Sequence, residues 1–290
     1  MPEAEAVPSS SAGREPFGSR LGRAMAQRGP LCVGIDPHPG LLKAWGLNDD
    51  AAGLERFSLT GVEAVGSLAA AVKPQVALYE RHGAAGMAVL ERTLADAADA
   101  GVLTIADAKR GDIGSTMAAY ADAWLRDGSS LAADSVTLSP YLGFESLRPA
   151  LDLAAEYGRG VFVLALTSNP EGASVQHVGG VDSVARRIVE AAAGENSRYP
   201  GALGSVGLVV GATVGGALQD LQLDLAAVRG IILAPGLGAQ GATAADLKET
   251  FGSAYAQVLG TSSRDILSAG PAVGGLRDAA QRTLEPLLAR

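Results

Sequence analysis

The feature that most constrains this chain is a series of eight short β-like runs, most of them continuously apolar, separated by stretches with helical spacing. The runs cover residues 31–36, 70–73, 102–107, 135–138, 161–166, 206–210, 230–233 and 257–260. A run that stays apolar instead of alternating suits a parallel strand buried on both faces. Between the runs, Phe57, Gly61, Val65 and Leu68 recur on one helical face, and so do Met117, Tyr120, Ala121 and Trp124. A last helical stretch, residues 276–284, is placed to close the structure. Strand–helix alternation repeated eight times predicts an α/β fold, the (β/α)8 TIM barrel. A doubly wound open sheet is the runner-up. It normally has fewer units and a crevice motif that is missing here.

Residues 1–16 (MPEAEAVPSSSAGREP) are rich in Pro, Ser and Glu, and a disordered tail is expected there. They carry acid early and lack an apolar core, unlike a secretory signal. One barrel domain is expected over residues 17–290, with the Gly-rich stretches 158–160 and 194–204 as barrel loops. The net charge of −8 argues against nucleic acid as a partner. The single cysteine, Cys32, allows no intramolecular disulfide and no cysteine cluster for a metal, and a reducing cytoplasm is the natural setting. The apolar runs are too short to span a bilayer.

In such a barrel the active site lies at the C-terminal ends of the strands. The third run ends in Thr104-Ile-Ala-Asp-Ala-Lys-Arg-Gly-Asp-Ile-Gly-Ser-Thr116. Asp107 and Lys109 are two apart, which on a strand puts both side chains on one face. Asp112 follows just before a helix. The bland alternative is a surface ion pair with Asp112 as a helix cap. Only four of the 23 basic residues are lysines, yet Lys73 ends the second run and Lys109 the third. An ammonium can release a proton where a guanidinium hardly can. A snorkelling lysine is the alternative for Lys73. Asp36 ends the first run, either as a hydrogen-bond acceptor for sugar hydroxyls or as an Asp before a proline turn. After the seventh run comes Ala234-Pro-Gly-Leu-Gly-Ala-Gln-Gly241, and after the eighth Gly260-Thr-Ser-Ser-Arg264. These are the loops that most often hold phosphate in such barrels, through close backbone amides, the Gln240 amide and the Arg264 fork. Leu166-Thr-Ser-Asn-Pro-Glu-Gly172 offers hydroxyls and amides, or a plain turn. His38, His82 and His177 form no metal-ligand spacing, and a structural or solvent-exposed role is expected for each.

These residues resemble a known family, orotidine 5′-phosphate decarboxylase, the last enzyme of de novo UMP synthesis. Asp107-Ala-Lys-Arg-Gly-Asp-Ile113 looks like its Asp-x-Lys-x-x-Asp signature. Gly34-Ile-Asp-Pro, Val72-Lys-Pro-Gln, Thr167-Ser-Asn-Pro, Val210-Gly-Ala-Thr and Pro235-Gly-Leu-Gly-Ala-Gln resemble its other blocks, in order, over roughly residues 17–290 and in the pattern of the longer bacterial subgroup, type 2. The resemblance implies a cofactor-free, metal-free conversion of orotidine 5′-monophosphate to UMP and CO2, with Lys109 as proton donor. It further implies that Lys73, Asp107, Lys109 and Asp112 form an alternating charge network. Asp36 and Lys73 would bind the ribose and Ser168 the pyrimidine. Pro235 would contact the substrate, and Gln240 and Arg264 would hold its 5′-phosphate. Arg264 is placed by a shared Ser/Gly-Arg-x-Ile pattern. Asp112 and Thr116 would reach into the partner's site of a homodimer. Metal-dependent sugar-phosphate enzymes on similar barrels carry an acid after the second strand, where this chain has Lys73-Pro-Gln.

Overall fold

The computed structural model describes residues 13–199, 203–238 and 241–289. Its eight strands are β1 (Leu31–Ile35), β2 (Ala71–Pro74), β3 (Leu103–Arg110), β4 (Ser135–Leu138), β5 (Gly160–Leu166), β6 (Gly204–Val210), β7 (Gly230–Pro235) and β8 (Val258–Ser262). All are parallel and neighbours in chain order, and β1 closes the barrel by pairing with both β2 and β8. This is the (β/α)8 barrel that the alternation predicts. Among the described residues no helix is long and apolar enough to cross a membrane. Most of the expected N-terminal tail, residues 1–12, lies outside the described residues.

Strand parity builds two cores. Leu31, Val33 and Ile35 of β1 face outward and join Leu54, Phe57 and Val62 of helix Ala51–Val65 in the outer core. That helix starts where the Asp50 side chain accepts from the Gly53 amide at 2.8 Å, satisfying one of the free donors of the first turn. The other parity, Cys32, Ile105, Phe162, Val209, Ile231, Leu233 and Leu259, faces the barrel axis. Helix Phe17–Arg28 closes the lower end by inserting Phe17, Leu21 and Met25 into this inner core. Phe17 meets Phe162 edge to face, with centroids 6.0 Å apart, a pairing that adds about 0.5–1.5 kcal/mol beyond area burial.

Among the boundaries that differ from expectation, three concern loops and a helix end. Gly160 is the first residue of β5, not part of a loop, because a Cβ there would run into the Phe17 ring. Of the stretch 194–204, Gly194 lies in helix Val184–Asn196 and Gly204 begins β6, where a Cβ would strike the Asn196 side chain. Leu68 falls beyond the end of helix Ala51–Val65, in the following turn, though it still packs on the outer core.

Candidate active site

The inward parity continues to the upper rim and there turns polar. Cys32 and Gly34 are followed by Asp36, Ala71 by Lys73, Ile105 by Asp107, and Leu259 by Thr261 and Ser263. These rim side chains, with Leu164, Val209 and Leu233 from β5, β6 and β7, line one cavity of about 300 Å³. One wall is therefore charged and the opposite wall is apolar. Gly34 makes room for the rim, since a Cβ there would press on Ser263 and Asp36.

Asp107 is the centre. Its side chain is 8% exposed and accepts four hydrogen bonds. Lys73 Nζ (2.7 Å) and Gln75 Nε2 (3.0 Å) reach Oδ2. Lys109 Nζ (2.6 Å) and Thr137 Oγ1 (2.9 Å) reach Oδ1. Burial alone would raise the acid's pKa. The fields of Lys73 and Lys109 and their hydrogen bonds override it and hold the carboxyl well below the usual carboxylate range. Lys73 is the mirror case: burial favours its neutral form, but Asp107 and Asp36 keep the ammonium charged above the usual lysine range. Cys32, deeper in the barrel, has its thiol pushed up to about 12 by burial, so no thiolate nucleophile is available there.

This pairing has a stability consequence with a definite sign. The lowered Asp107 pKa gives stability that is complete above about pH 4, the unfolded carboxylate value, and is lost as pH falls toward the folded one. The raised Lys73 pKa gives stability complete below about pH 10 and lost above it. Asp107→Leu, which strands the buried ammonium of Lys73, should cost about 3–5 kcal/mol. In urea unfolding the deficit should hold between about pH 5 and 9 and shrink in acid, where wild-type Asp107 takes up its proton. A deficit unchanged at the lowest pH would show that the cost is not electrostatic.

Lys109 is placed by an unusual backbone. The β3–β4 register shifts between Ala106 and Arg110, and Lys109 sits inside that irregularity with φ of +47°. A left-handed residue bearing a Cβ costs roughly 1–2 kcal/mol, and such strain collects at functional sites. The shift carries β3 three residues past the expected end at Asp107. Lys109 then faces Asp107, while Arg110 pairs with Glu80 outside. The Lys109 side chain is 45% exposed and opens onto the cavity.

Of the other expected residues, Asp36, Ser168, Pro235 and Arg264 all line the same cavity. Asp36 Oδ1 and Ser263 Oγ are buried and have no hydrogen-bond partner among the described residues. Buried polar atoms in that state point to a polar ligand. Arg264 opens a one-turn helix, Arg264–Leu267, directly beyond β8. In the loop after β7, the Gly238 and Gly241 amides donate to Ala242 and Gly238 carbonyls and are thus held within the loop. Gln240 lies outside the described residues. Asp112 and Thr116 do not line the cavity of their own chain: the Asp112 carboxylate accepts from the Ile113 amide at 2.8 Å, and Thr116 is exposed in the first turn of helix Gly114–Leu125. Asp112 does not cap that helix either, since Ile113 holds the cap position without a side-chain bond.

Several cavity or cluster residues have no site role in the sequence reading, Gln75, His38 and Thr137 among them. Gln75, beside Lys73, orients Asp107. His38 is exposed, as expected, but stands at the rim of the cavity. Thr137 is buried within β4 (Ser-Val-Thr-Leu), and its only signal in the sequence is a hydroxyl in a short strand that follows the charged end of β3. Among the described residues no three or more His, Cys, Asp or Glu side chains converge to hold a metal ion.

A family model described as orotidine 5′-phosphate decarboxylase / HUMPS family matches residues 29–279. A protein from Salinispora arenicola named orotidine 5′-phosphate decarboxylase is 58% identical, covering 93% of this chain and 96% of that one. A Streptomyces coelicolor protein of the same name is 56% identical, covering 92% and 95%. Among solved structures, a Streptomyces avermitilis protein superposes with a TM-score of 0.91 at 57% identity, covering 95% and 96%. The Leishmania donovani OMP decarboxylase superposes with a TM-score of 0.74 at 31% identity, covering 94% and 98%.

Proposed function

The chain belongs to the orotidine 5′-phosphate decarboxylase / HUMPS family, and on that premise we propose that its rim cavity converts orotidine 5′-monophosphate to UMP and CO2 with Lys109 delivering the proton. Within that family, relatives 58% and 56% identical over nearly the whole chain are named orotidine 5′-phosphate decarboxylase, which makes this chain a carboxy-lyase of UMP synthesis. The observation that carries the mechanism is Asp107 held ionised between two ammonium groups, Lys73 and Lys109, at the edge of a cavity whose far wall is apolar.

Loss of CO2 leaves an electron pair on C6 of the pyrimidine. The Lys109 ammonium, half exposed to the cavity, stabilises that charge and then gives C6 its proton. Asp107 faces the substrate carboxylate, and the like charges raise the ground state. Leu164, Val209 and Leu233 offer the departing neutral CO2 a wall without charge. Asp36 and Lys73 take the ribose hydroxyls, Ser168 the pyrimidine, and Pro235, Gln240 and Arg264 the phosphate end. The reaction needs no cofactor or metal. The buried Cys32 suits a reducing cytoplasm.

We further take the working form to be a homodimer. Ile113, Tyr141 and Leu142 are 61%, 78% and 54% exposed, and they follow the ends of β3 and β4, which are tied by the Ser139 amide to the Arg110 carbonyl. Exposed apolar side chains following two tied strand ends, one of them next to Asp112 in the chain, are what a shared interface needs. Across it, Asp112 and Thr116 would complete the partner's site.

The test is direct. With EDTA present, orotidine 5′-monophosphate should lose its ultraviolet absorbance as UMP accumulates. An inactive protein would fail the reading, and activity abolished by EDTA would favour a metal-dependent relative. In the same assay Arg264→Ala should lower kcat/KM by about 1.5–3 kcal/mol, roughly 10- to 150-fold, by loss of charge-assisted phosphate bonds. The nucleoside without phosphate should be affected much less. Equal losses on both substrates would remove Arg264 from the phosphate site.

A further inference from the structure

We infer that Thr137, which does not touch the cavity, is a positioning residue that fixes Lys109 in its working conformation. The inference rests on the role proposed above for Lys109. Thr137 lies in β4 and is 1% exposed. The register shift between Ala106 and Arg110 takes the Lys109 amide out of the regular β3–β4 ladder, and the amide donates instead to Thr137 Oγ1 at 2.9 Å. With that lone pair engaged, the Thr137 hydroxyl directs its own proton to Asp107 Oδ1, also at 2.9 Å. The same carboxylate oxygen accepts from Lys109 Nζ at 2.6 Å.

The four groups close a ring. It runs from the Lys109 amide through the Thr137 hydroxyl to Asp107 and returns through the Lys109 ammonium. One hydroxyl thus anchors both the backbone and, by way of Asp107, the side-chain tip of the same lysine. It also supplies the acceptor that a left-handed, non-glycine residue needs if its amide is not to be orphaned. Without the hydroxyl, Lys109 can relax toward an ordinary strand conformation, and its ammonium shifts relative to the carbon it protonates. A displacement of about 1 Å is enough to cost roughly 100-fold in rate. Substrate binding should change little, because Asp36, Ser168 and Arg264 reach the cavity from other strands and loops.

Thr137→Val keeps the shape and removes the hydroxyl, whereas Thr137→Ser keeps the hydroxyl. For Thr137→Val, kcat for orotidine 5′-monophosphate should fall about 10- to 100-fold, with KM within about threefold. Serine should restore kcat to within about threefold of wild type. Thr137→Ala is a second hydroxyl-free variant, so a failure of valine to fold leaves the comparison with serine intact. An independent readout needs no substrate. In protein labelled with 15N-lysine, which has only Lys43, Lys73, Lys109 and Lys248 to assign, the Lys109 amide should exchange with solvent at least about tenfold faster in the valine variant and near the wild-type rate in the serine variant. A valine variant with wild-type kcat, a serine variant as slow as valine, or unchanged Lys109 exchange would each overturn the inference. A wild-type protein inactive on orotidine 5′-monophosphate would instead fail the functional reading, and the exchange comparison would still decide whether Thr137 holds Lys109.

Discussion

Lys109→Ala is expected to lose turnover of orotidine 5′-monophosphate by at least about 10⁴-fold, with UMP affinity and circular dichroism close to wild type. Two contributions vanish together. A positioned general acid is worth roughly 10²–10⁴ and a fixed charge at a developing anion roughly 10²–10³. Lys109 provides both. The fold should tolerate the change because the side chain is half exposed and Asp107 keeps its bonds from Lys73, Gln75 and Thr137. This contrasts with Asp107→Leu, where a buried charge is stranded. The measurement is kcat in single turnover, alongside calorimetric binding of UMP. A variant that retains kcat within about 100-fold of wild type would show that the proton comes from elsewhere, and Thr137 would lose its proposed purpose as well.

The second large effect is a recovery. Lys109→Ala and Asp112→Ala should each be inactive as pure proteins and become active when mixed and allowed to exchange subunits. If each site takes Lys109 from one subunit and Asp112 from the other, a mixed dimer gathers both substitutions in one site and leaves the other native. Equal random exchange makes half the dimers mixed, and half of their sites work, so activity should approach roughly a quarter of wild type. Asp112 lies outside the cavity of its own chain and is followed by the exposed Ile113. If native mass spectrometry shows exchange and no activity returns, Asp112 serves its own subunit or none.

Much of this molecule is legible in its residues because strand parity and strand ends carry the information. Continuous apolar runs give the barrel. The polar residue closing a run then falls on the inward face, as with Asp36, Lys73 and Asp107. What stays hidden depends on contacts between distant segments. Gly160 and Gly204 read as loop residues because a missing side chain does not reveal the Phe17 ring or the Asn196 amide that occupies its place. Thr137 carries no charge and shares its short strand with a second buried hydroxyl, Ser135, so only the offset between β3 and β4 gives its hydroxyl a task. The left-handed turn of Lys109 is equally silent, since lysine is not a residue type that announces such a conformation.

The helix that seals the lower barrel also sets the traffic through it. Phe17, Leu21 and Met25 fill the space beneath Phe162, Ile105 and Leu259, and none of these residues borders the cavity. Among the described residues, the chamber is therefore closed on the side of that helix and faces the upper rim. On the reaction proposed above, nucleotide enters and both products depart on that rim side, so a nucleotide still seated at the rim lies across the route of the gas formed behind it.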